Sequence, residues 1–244
     1  MPPTRYPEAV WRGDGQSGGS WTGFPYRVIL HTTETRTIPG YNNGASAPHL
    51  TYFPAGNYWV QHTSFATAAR ALRNLSGGVQ TNRQGALQVE IVCYSAKSIG
   101  DSVNGLWVGN LTETHLRSLA RFLNWVKGEF DIQLTWPGKQ ALSYAQANAT
   151  GFRMTASQWD GFNGVAAHQH VPENLHWDTG ALDWNRLMSY TNDAMELTDE
   201  EIAQLRGILA ALKAENSNPD ALRYLIRLIR TLRKMDDIFD TEEF

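Results

Sequence analysis

Histidines and carboxylates are concentrated in residues 164–183, and this concentration limits how the chain can fold. The middle of the segment reads His168-Gln-His170-Val-Pro-Glu-Asn-Leu-His176-Trp-Asp178. Far upstream, His31 ends the apolar run Val-Ile-Leu. Nitrogen and oxygen ligands from two distant segments are typical of a catalytic zinc site, in which three protein ligands leave a fourth position for water. The fold is therefore expected to bring these two segments together.

Length and composition restrict the class of protein. A chain of 244 residues with 42% hydrophobic content is long enough for one well-packed domain and an appendage. The net charge of −3 provides no basic field for nucleic acid. A single cysteine, Cys93, excludes an intrachain disulfide. We find no apolar run of about 18 residues and no Sec-type signal, so we expect synthesis in the cytoplasm and no membrane-spanning segment.

Short apolar runs bounded by turn residues predict strands. The predicted strands cover residues 27–30 and 86–94, and a hairpin joins 49–53 to 58–62. Residues 1–25 read as an irregular arm.

Apolar residues at helical spacing predict a helix that starts after Thr112 and extends to Val126. A short helix is predicted over 66–72 and a closing helix over 182–190, whereas 143–162 reads as polar and irregular.

The composition changes after Asn192. Thr198 and Asn218-Pro219 are helix start signals, and each precedes an amphipathic stripe. We therefore predict two domains, residues 1–192 and a C-terminal helical hairpin at 193–244. Because two short helices bury little surface alone, oligomerisation or docking is favoured over binding of the cell envelope and over a linker to a further domain.

Three motifs occur in a fixed order: Val-Ile-Leu-His31-Thr-Thr, Ala-Leu-Gln-Val-Glu90-Ile-Val and Ala-His168-Gln-His through Trp-Asp178-Thr-Gly. Over about residues 6–190 the chain resembles the zinc-dependent N-acetylmuramoyl-L-alanine amidases of the type-2, peptidoglycan-recognition-protein-like family, and most of all the amidase modules of bacteriophage endolysins. The resemblance implies an α/β fold with a central mixed sheet flanked by helices.

The resemblance also implies roles for individual residues. The Zn²⁺ ligands fall on His31, His168 and Asp178, and the acid/base carboxylate falls on Glu90. Where many members carry an oxyanion-stabilising lysine, two positions before the last ligand, this chain has His176. This departure leaves open which group is the electrophile.

Glu90 has two interpretations. A carboxylate within Val-Glu-Ile-Val is costly to bury unpaired, so strand alternation would turn it to solvent or toward Arg70 or Arg83. The apolar neighbours on both sides favour a buried strand, and hence a catalytic Glu90 that carries a proton from water to the leaving amine.

Two other histidines in the dense segment also have alternatives. His170 competes with His168 as a ligand, but two-residue spacing on an extended segment places the two rings on opposite faces, so both are not expected to bind one ion. The resemblance implies His168, because its ten-residue interval to Asp178 matches the family. His176 either hydrogen-bonds the oxyanion or is a loop histidine packed against Trp177.

Substrate contacts are expected from three residues outside the motifs. His49 lines a groove or is packed within the hairpin, Asn82 lies in a glycine-rich loop, and Arg83 holds a stem-peptide carboxylate in a fork or is solvated. Glu34 is read as a loop carboxylate or as a partner of a ligand imidazole.

The sequence therefore predicts hydrolysis of the amide between N-acetylmuramic acid and L-alanine in peptidoglycan, by an endolysin that a holin releases to the host wall. The alternatives are a non-catalytic peptidoglycan-binding module and a virion-associated protein anchored to the wall. Binding members of the family typically lack a ligand, so the presence of all three favours the enzyme. A homo-oligomer through the C-terminal helices is also expected.

Overall fold

A six-stranded mixed sheet organises the part of the chain that the computed structural model describes, residues 3–192. Its strands are β1 (Ala9–Trp11), β2 (Arg27–Thr32), β3 (Leu50–Phe53), β4 (Tyr58–Gln61), β5 (Ala86–Ile91) and β6 (Gly164–Ala167). They lie in the order β1-β4-β3-β5-β2-β6. The β3–β4 hairpin is antiparallel, and the other neighbouring strands run parallel. The expected central mixed sheet is thus present.

One side of the sheet is formed by β5, β2 and β6, which run parallel, with β6 at the edge. Every residue of β2 is buried, as is typical of parallel strands covered on both faces. The register places His31 opposite Glu90, close to the carboxyl ends of β2 and β5. Because the carboxyl ends of parallel strands meet at one edge of a sheet, the side chains that follow β2, β5 and β6 are brought together.

Five α-helices accompany the strands in the described residues: α1 (Lys97–Ser102), α2 (Glu113–Phe130), α3 (Tyr144–Ala147), α4 (Ala156–Gly161) and α5 (Trp184–Asn192). The longest is α2, which Thr112 caps through a reciprocal capping box with His115. Its apolar stripe joins Val28, Leu30 and the aromatic residues Tyr52 and Trp59 in the larger core cluster.

The opposite face of β2 packs against a second cluster. Ile29 contacts a group that contains Trp159 of α4 and Ala166 of β6. The sheet is therefore covered on both faces at β2.

Some predicted elements differ from the structure. The hairpin is confirmed, but the strand predicted over 86–94 ends at Ile91, and the helix predicted over 66–72 is wrong because that segment forms turns and bends. The arm contains β1, which pairs with β4, and the region 143–162 contains α3 and α4.

The predicted helical hairpin at 193–244 lies outside the described residues. Within residues 3–192, no helix combines the length and apolar character that a membrane span requires.

Candidate metal centre

Three side chains that offer metal ligands converge at the carboxyl ends of β2 and β6. His31 lies on β2, His168 begins the 3-10 turn His168–His170 directly after β6, and Asp178 lies in the loop that follows. All three are buried. The Nδ1 atoms of His31 and His168 are 3.0 Å apart. Asp178 places Oδ2 3.6 Å from His31 Nδ1 and Oδ1 3.2 Å from His168 Nδ1.

This arrangement fits a tetrahedral zinc ion. Ligand atoms about 2.0–2.2 Å from such an ion lie about 3.3–3.6 Å from one another. The separations of 3.0, 3.2 and 3.6 Å fall close to that range. Two imidazole nitrogens and one carboxylate oxygen are also a donor set that zinc accepts, and this cluster is a possible metal site among the described residues.

The protonation states favour a cation at this point. Burial, followed by the neighbouring His168, lowers the pKa of His31 well below its usual value, so the ring is neutral. Burial by itself raises the pKa of Asp178, but the charge and hydrogen bond of His168, with His176 and His31, hold that pKa well below its usual range. Metal ligands must be neutral imidazoles and ionised carboxylates, and these two groups satisfy that requirement.

A neighbouring amide orients the His168 ring. His168 Nε2 lies 3.1 Å from Asn174 Oδ1, and the same oxygen accepts a hydrogen bond from the Arg73 backbone N–H at 2.8 Å. Asn174 Nδ2 in turn donates to the carbonyls of Arg73 and Pro172. Because an amide oxygen can only accept, the neutral His168 ring that a metal ligand requires would carry its proton on Nε2 and turn the Nδ1 lone pair toward His31 and Asp178.

Glu90 lies beside the three ligand side chains. Its Oε1 is 4.0 Å from His31 Nδ1, and its buried Oε2 has no hydrogen-bond partner among the described residues. Burial, then the charges of Asp178 and Glu34, raise its pKa well above the usual value. The arginine partners considered for Glu90 bond elsewhere: Arg70 donates to Gln16, and Arg83 donates to the Ser20 carbonyl.

His176 stacks on His168 rather than on Trp177. The two imidazole rings are 4.2 Å apart and nearly parallel, and His176 Nδ1 lies 3.5 Å from Asp178 Oδ1. The side chain is 61% exposed. Arg153 donates a 2.8 Å hydrogen bond to the His176 carbonyl, which anchors the backbone of the loop.

His170 cannot share the ion. Its ring is buried, Nδ1 accepts from the Ala167 N–H at 2.9 Å, and Nε2 lies 2.7 Å from the Lys139 carbonyl. The two histidines occupy one 3-10 turn rather than an extended segment, so that part of the expectation is wrong.

An open cavity of about 800 Å³ gives access to the site. Glu90, His168, His176 and Asp178 line it, together with Tyr41, Arg73 and Asn174, which the sequence analysis did not single out. Asn174 lies inside the histidine-rich segment, but an amide in a loop carries no pattern that distinguishes an orienting role.

The three predicted substrate contacts do not line this cavity. His49 is fully buried, with Nδ1 accepting from the Gln88 N–H and Nε2 beside the Thr67 carbonyl. Asn82 Oδ1 accepts a hydrogen bond from the Leu72 N–H, and Asn82 Nδ2 donates one to the Leu72 carbonyl. The polar atoms of His49 and Asn82 are used in internal hydrogen bonds, and Arg83 Nε donates to the Ser20 carbonyl. Substrate binding by these three residues stays a prediction that the cavity lining does not support.

Glu34 behaves as the loop carboxylate that the sequence indicated. Its Oε1 accepts from Thr32 Oγ1 at 2.6 Å and from the Ser95 N–H at 2.9 Å. The backbone N–H of Thr32 donates to Asp178 Oδ2 at 3.3 Å. These contacts connect the loop after β2 to the third ligand.

Comparison with known proteins finds no matching protein family and no matching curated sequence. Solved structures do match. The Staphylococcus aureus hydrolase AmiA, in complex with its ligand, has a TM-score of 0.45 and 12% identity over 76% of this chain and 80% of its own. A mutant of PlyL has a TM-score of 0.40 and 13% identity over 73% of this chain and 90% of its own. What is proposed below therefore depends on the residues of this chain and on its motifs.

Proposed function

We propose that this protein is a zinc hydrolase that cleaves the amide between N-acetylmuramic acid and L-alanine in peptidoglycan, in the manner of a phage endolysin. The observation that carries the hydrolase proposal is the convergence of His31, His168 and Asp178 on one point, with Glu90 beside them at an open cavity. The choice of this amide is supported by the three sequence motifs that resemble the type-2 amidases.

His31, His168 and Asp178 would hold the ion. A bound zinc ion would supply Lewis acidity toward water and toward the carbonyl of the scissile amide. Two neutral imidazoles and one carboxylate leave a divalent cation with a net positive charge, which preserves that acidity. The Asn174 side-chain oxygen, at His168 Nε2, and the Thr32 backbone N–H, at Asp178 Oδ2, keep these two side chains oriented.

Glu90 is proposed to move the proton. Hydrolysis of an amide needs a base to take a proton from the attacking water and an acid to return it to the leaving nitrogen. The raised pKa of Glu90 brings its acid and base forms closer in free energy near neutral pH, and its free Oε2 can accept the proton. The proton then passes from the Glu90 carboxyl to the amine of L-alanine as the C–N bond breaks.

His176 is proposed to donate a hydrogen bond to the carbonyl oxygen as negative charge develops there. Its stacking on His168 and the anchored backbone carbonyl place the ring at the cavity edge, next to Asp178. Replacing His176 with alanine is expected to lower turnover while the zinc content is unchanged.

The test combines purified sacculi with the metal-loaded protein and measures new N-terminal alanine, with and without a chelator. Glu90→Gln should lower kcat by about 10²–10⁴-fold, because general acid–base catalysis contributes that much, while bound zinc per chain is unchanged. The matched control is Glu129→Gln, an exposed carboxylate on α2, which should leave kcat unchanged.

Two outcomes would contradict the proposal. If the metal-loaded protein releases no alanine from sacculi, the chain is not this hydrolase, and binding without cleavage would then indicate a peptidoglycan-binding module. If Glu90→Gln retains activity within about tenfold, Glu90 is not the proton carrier.

A further inference from the structure

A chain of four hydrogen-bonded side chains leads from the protein surface to the cavity. Asp14 Oδ1 lies 2.6 Å from His62 Nδ1, and His62 Nε2 lies 2.9 Å from Thr51 Oγ1. Thr51 Oγ1 lies 2.7 Å from the Tyr41 hydroxyl. The Asp14 side chain is half exposed, whereas His62 and Thr51 are buried. None of the four residues belongs to the motifs identified in the sequence.

Tyr41 brings the end of this chain to the metal centre. The residue lines the same cavity as Glu90, and Thr51 on β3 lies directly opposite Glu90 on β5. After burial, the Glu90 charge is the next largest cause of the raised pKa of Tyr41, which is consistent with their closeness.

The backbone of Tyr41 is strained. Its φ is +48°, in the left-handed region that aromatic residues rarely adopt. Such conformations persist where the surrounding structure holds them, and they concentrate at functional sites. The Tyr41 carbonyl accepts a 3.1 Å hydrogen bond from the Ser46 N–H, which fixes the turn behind the ring.

The donors and acceptors of the chain set its direction. Burial outweighs the effect of Asp14 and lowers the pKa of His62, so the ring is neutral near pH 7. A carboxylate can only accept, so the single ring proton lies on Nδ1 and Nε2 accepts from Thr51. Because Thr51 Oγ1 donates its only hydrogen bond to His62, it accepts a hydrogen bond from the Tyr41 hydroxyl. The Tyr41 oxygen therefore uses its proton toward Thr51 and keeps its lone pairs for a donor from the cavity that Tyr41 lines.

We propose that Tyr41 is a substrate-binding residue that accepts a hydrogen bond from a backbone amide N–H on the peptide part of the substrate, with Thr51, His62 and Asp14 as positioning residues. This inference rests on the proposed function. Glu90 must meet the leaving nitrogen on the peptide side of the scissile bond, and Tyr41 lies near Glu90. A peptide N–H, rather than a sugar group, is therefore the hydrogen-bond donor expected at the side of the cavity that Tyr41 lines.

The test measures binding by the metal-free full-length chain, with muramyl dipeptide and N-acetylmuramic acid as the two probes. Tyr41→Phe removes only the hydroxyl and should weaken muramyl dipeptide binding about 3–10-fold, as expected for one hydrogen bond. Binding of N-acetylmuramic acid should not change. With the zinc-loaded protein, KM should rise by the same factor while kcat stays within about twofold, since this contact forms before the transition state.

Two further variants separate positioning from folding. Thr51→Val keeps the side-chain shape and breaks the chain, and it should give a smaller loss, about 2–3-fold, because the Tyr41 hydroxyl remains but is no longer oriented. Tyr58→Phe is the control: Tyr58 lies on β4, is exposed and does not line the cavity, so both probes should bind as to the unaltered protein. Nitrogen-15 NMR of His62 should report the Nδ1–H tautomer.

Equal binding of muramyl dipeptide by the unaltered protein and Tyr41→Phe would overturn this inference and leave the proposed function standing. An Nε2–H tautomer of His62 would overturn the direction of the chain, and with it the acceptor role of Tyr41. If the unaltered protein binds no muramyl dipeptide and releases no alanine from sacculi, the proposed function fails together with the inference.

Discussion

Two pairs of buried histidines in this protein, His49 with His170 and His31 with His168, differ in the surroundings of their ring nitrogens. His49 and His170 each accept a backbone N–H at Nδ1, and each has a backbone carbonyl within 2.9 Å of Nε2. In the metal centre, His31 and His168 direct their Nδ1 atoms at each other, 3.0 Å apart, and toward Asp178. The ring nitrogens of the first pair are satisfied by the backbone, whereas those of the second pair face each other and a carboxylate, as the proposed metal site requires.

Burial therefore does not distinguish a metal ligand from a structural histidine. Each of these four rings is at most 5% exposed. The distinction lies in whether the backbone already supplies one donor and one acceptor to the neutral ring. The following variants test that distinction.

The largest expected difference is between His168→Ala and His170→Ala. Removing the His168 ligand should weaken zinc binding by more than about 100-fold, because loss of an outer partner alone costs 10–100-fold. His170→Ala should keep zinc but lower the free energy of unfolding by about 2–3 kcal/mol, because the Ala167 N–H and the Lys139 carbonyl lose their partner. Zinc affinity is measured by competition with a chromophoric chelator, and stability by denaturant unfolding. Equal zinc loss in both variants would contradict the assignment of His168.

The next expected effect is on the pH dependence of stability. Burial lowers the pKa of His49 to about 4, against about 6.5 in the unfolded chain. Between these values the unfolded chain binds a proton that the folded chain does not, so stability falls as the pH falls from about 6.5 to about 4. The contribution of His49 is about 3 kcal/mol.

His49→Gln should remove this part of the pH dependence. The measurement is the difference in unfolding free energy between pH 7.5 and pH 4.5, with chelator present throughout so that zinc release does not contribute. The difference should be about 2.5 kcal/mol smaller in the variant, because pH 4.5 is still above the folded pKa of about 4. An unchanged difference would show that the neutral state of His49 does not control acid stability.

The smallest expected effect concerns the partner of His168. Asn174→Leu removes the acceptor at Nε2 and should weaken zinc binding by about 10–100-fold. Asn174→Asp keeps an acceptor there and should recover most of the affinity. Asn82→Ala, which removes another buried loop amide that does not line the cavity, should lower stability without a change in zinc affinity. If Asn174→Leu binds zinc normally, the Nε2 contact does not orient the ligand.

The sequence analysis was most accurate where one local pattern determines the structure. The apolar run before His31 forms β2, the segment after Thr112 forms α2, and Pro54-Ala-Gly-Asn57 joins β3 to β4. Segments without a clear period were missed, among them β1 and β6. These two strands have only three and four residues, and they exist because neighbouring strands offer them partners.

The sequence by itself determined which residues can supply metal-ligand chemistry, because side-chain donors and strand periodicity are local properties. His31, Glu90, His168 and Asp178 were chosen on that basis, together with the motif resemblance. Only the tertiary structure decided that His49 and Asn82 use their polar atoms in internal hydrogen bonds and that Asn174 orients His168. It also decided which side chains form the hydrogen-bonded chain to the cavity: Asp14, His62, Thr51 and Tyr41. A hydrogen bond depends on where two atoms far apart in sequence come to lie, and the packing of strands and loops in the folded chain sets those positions.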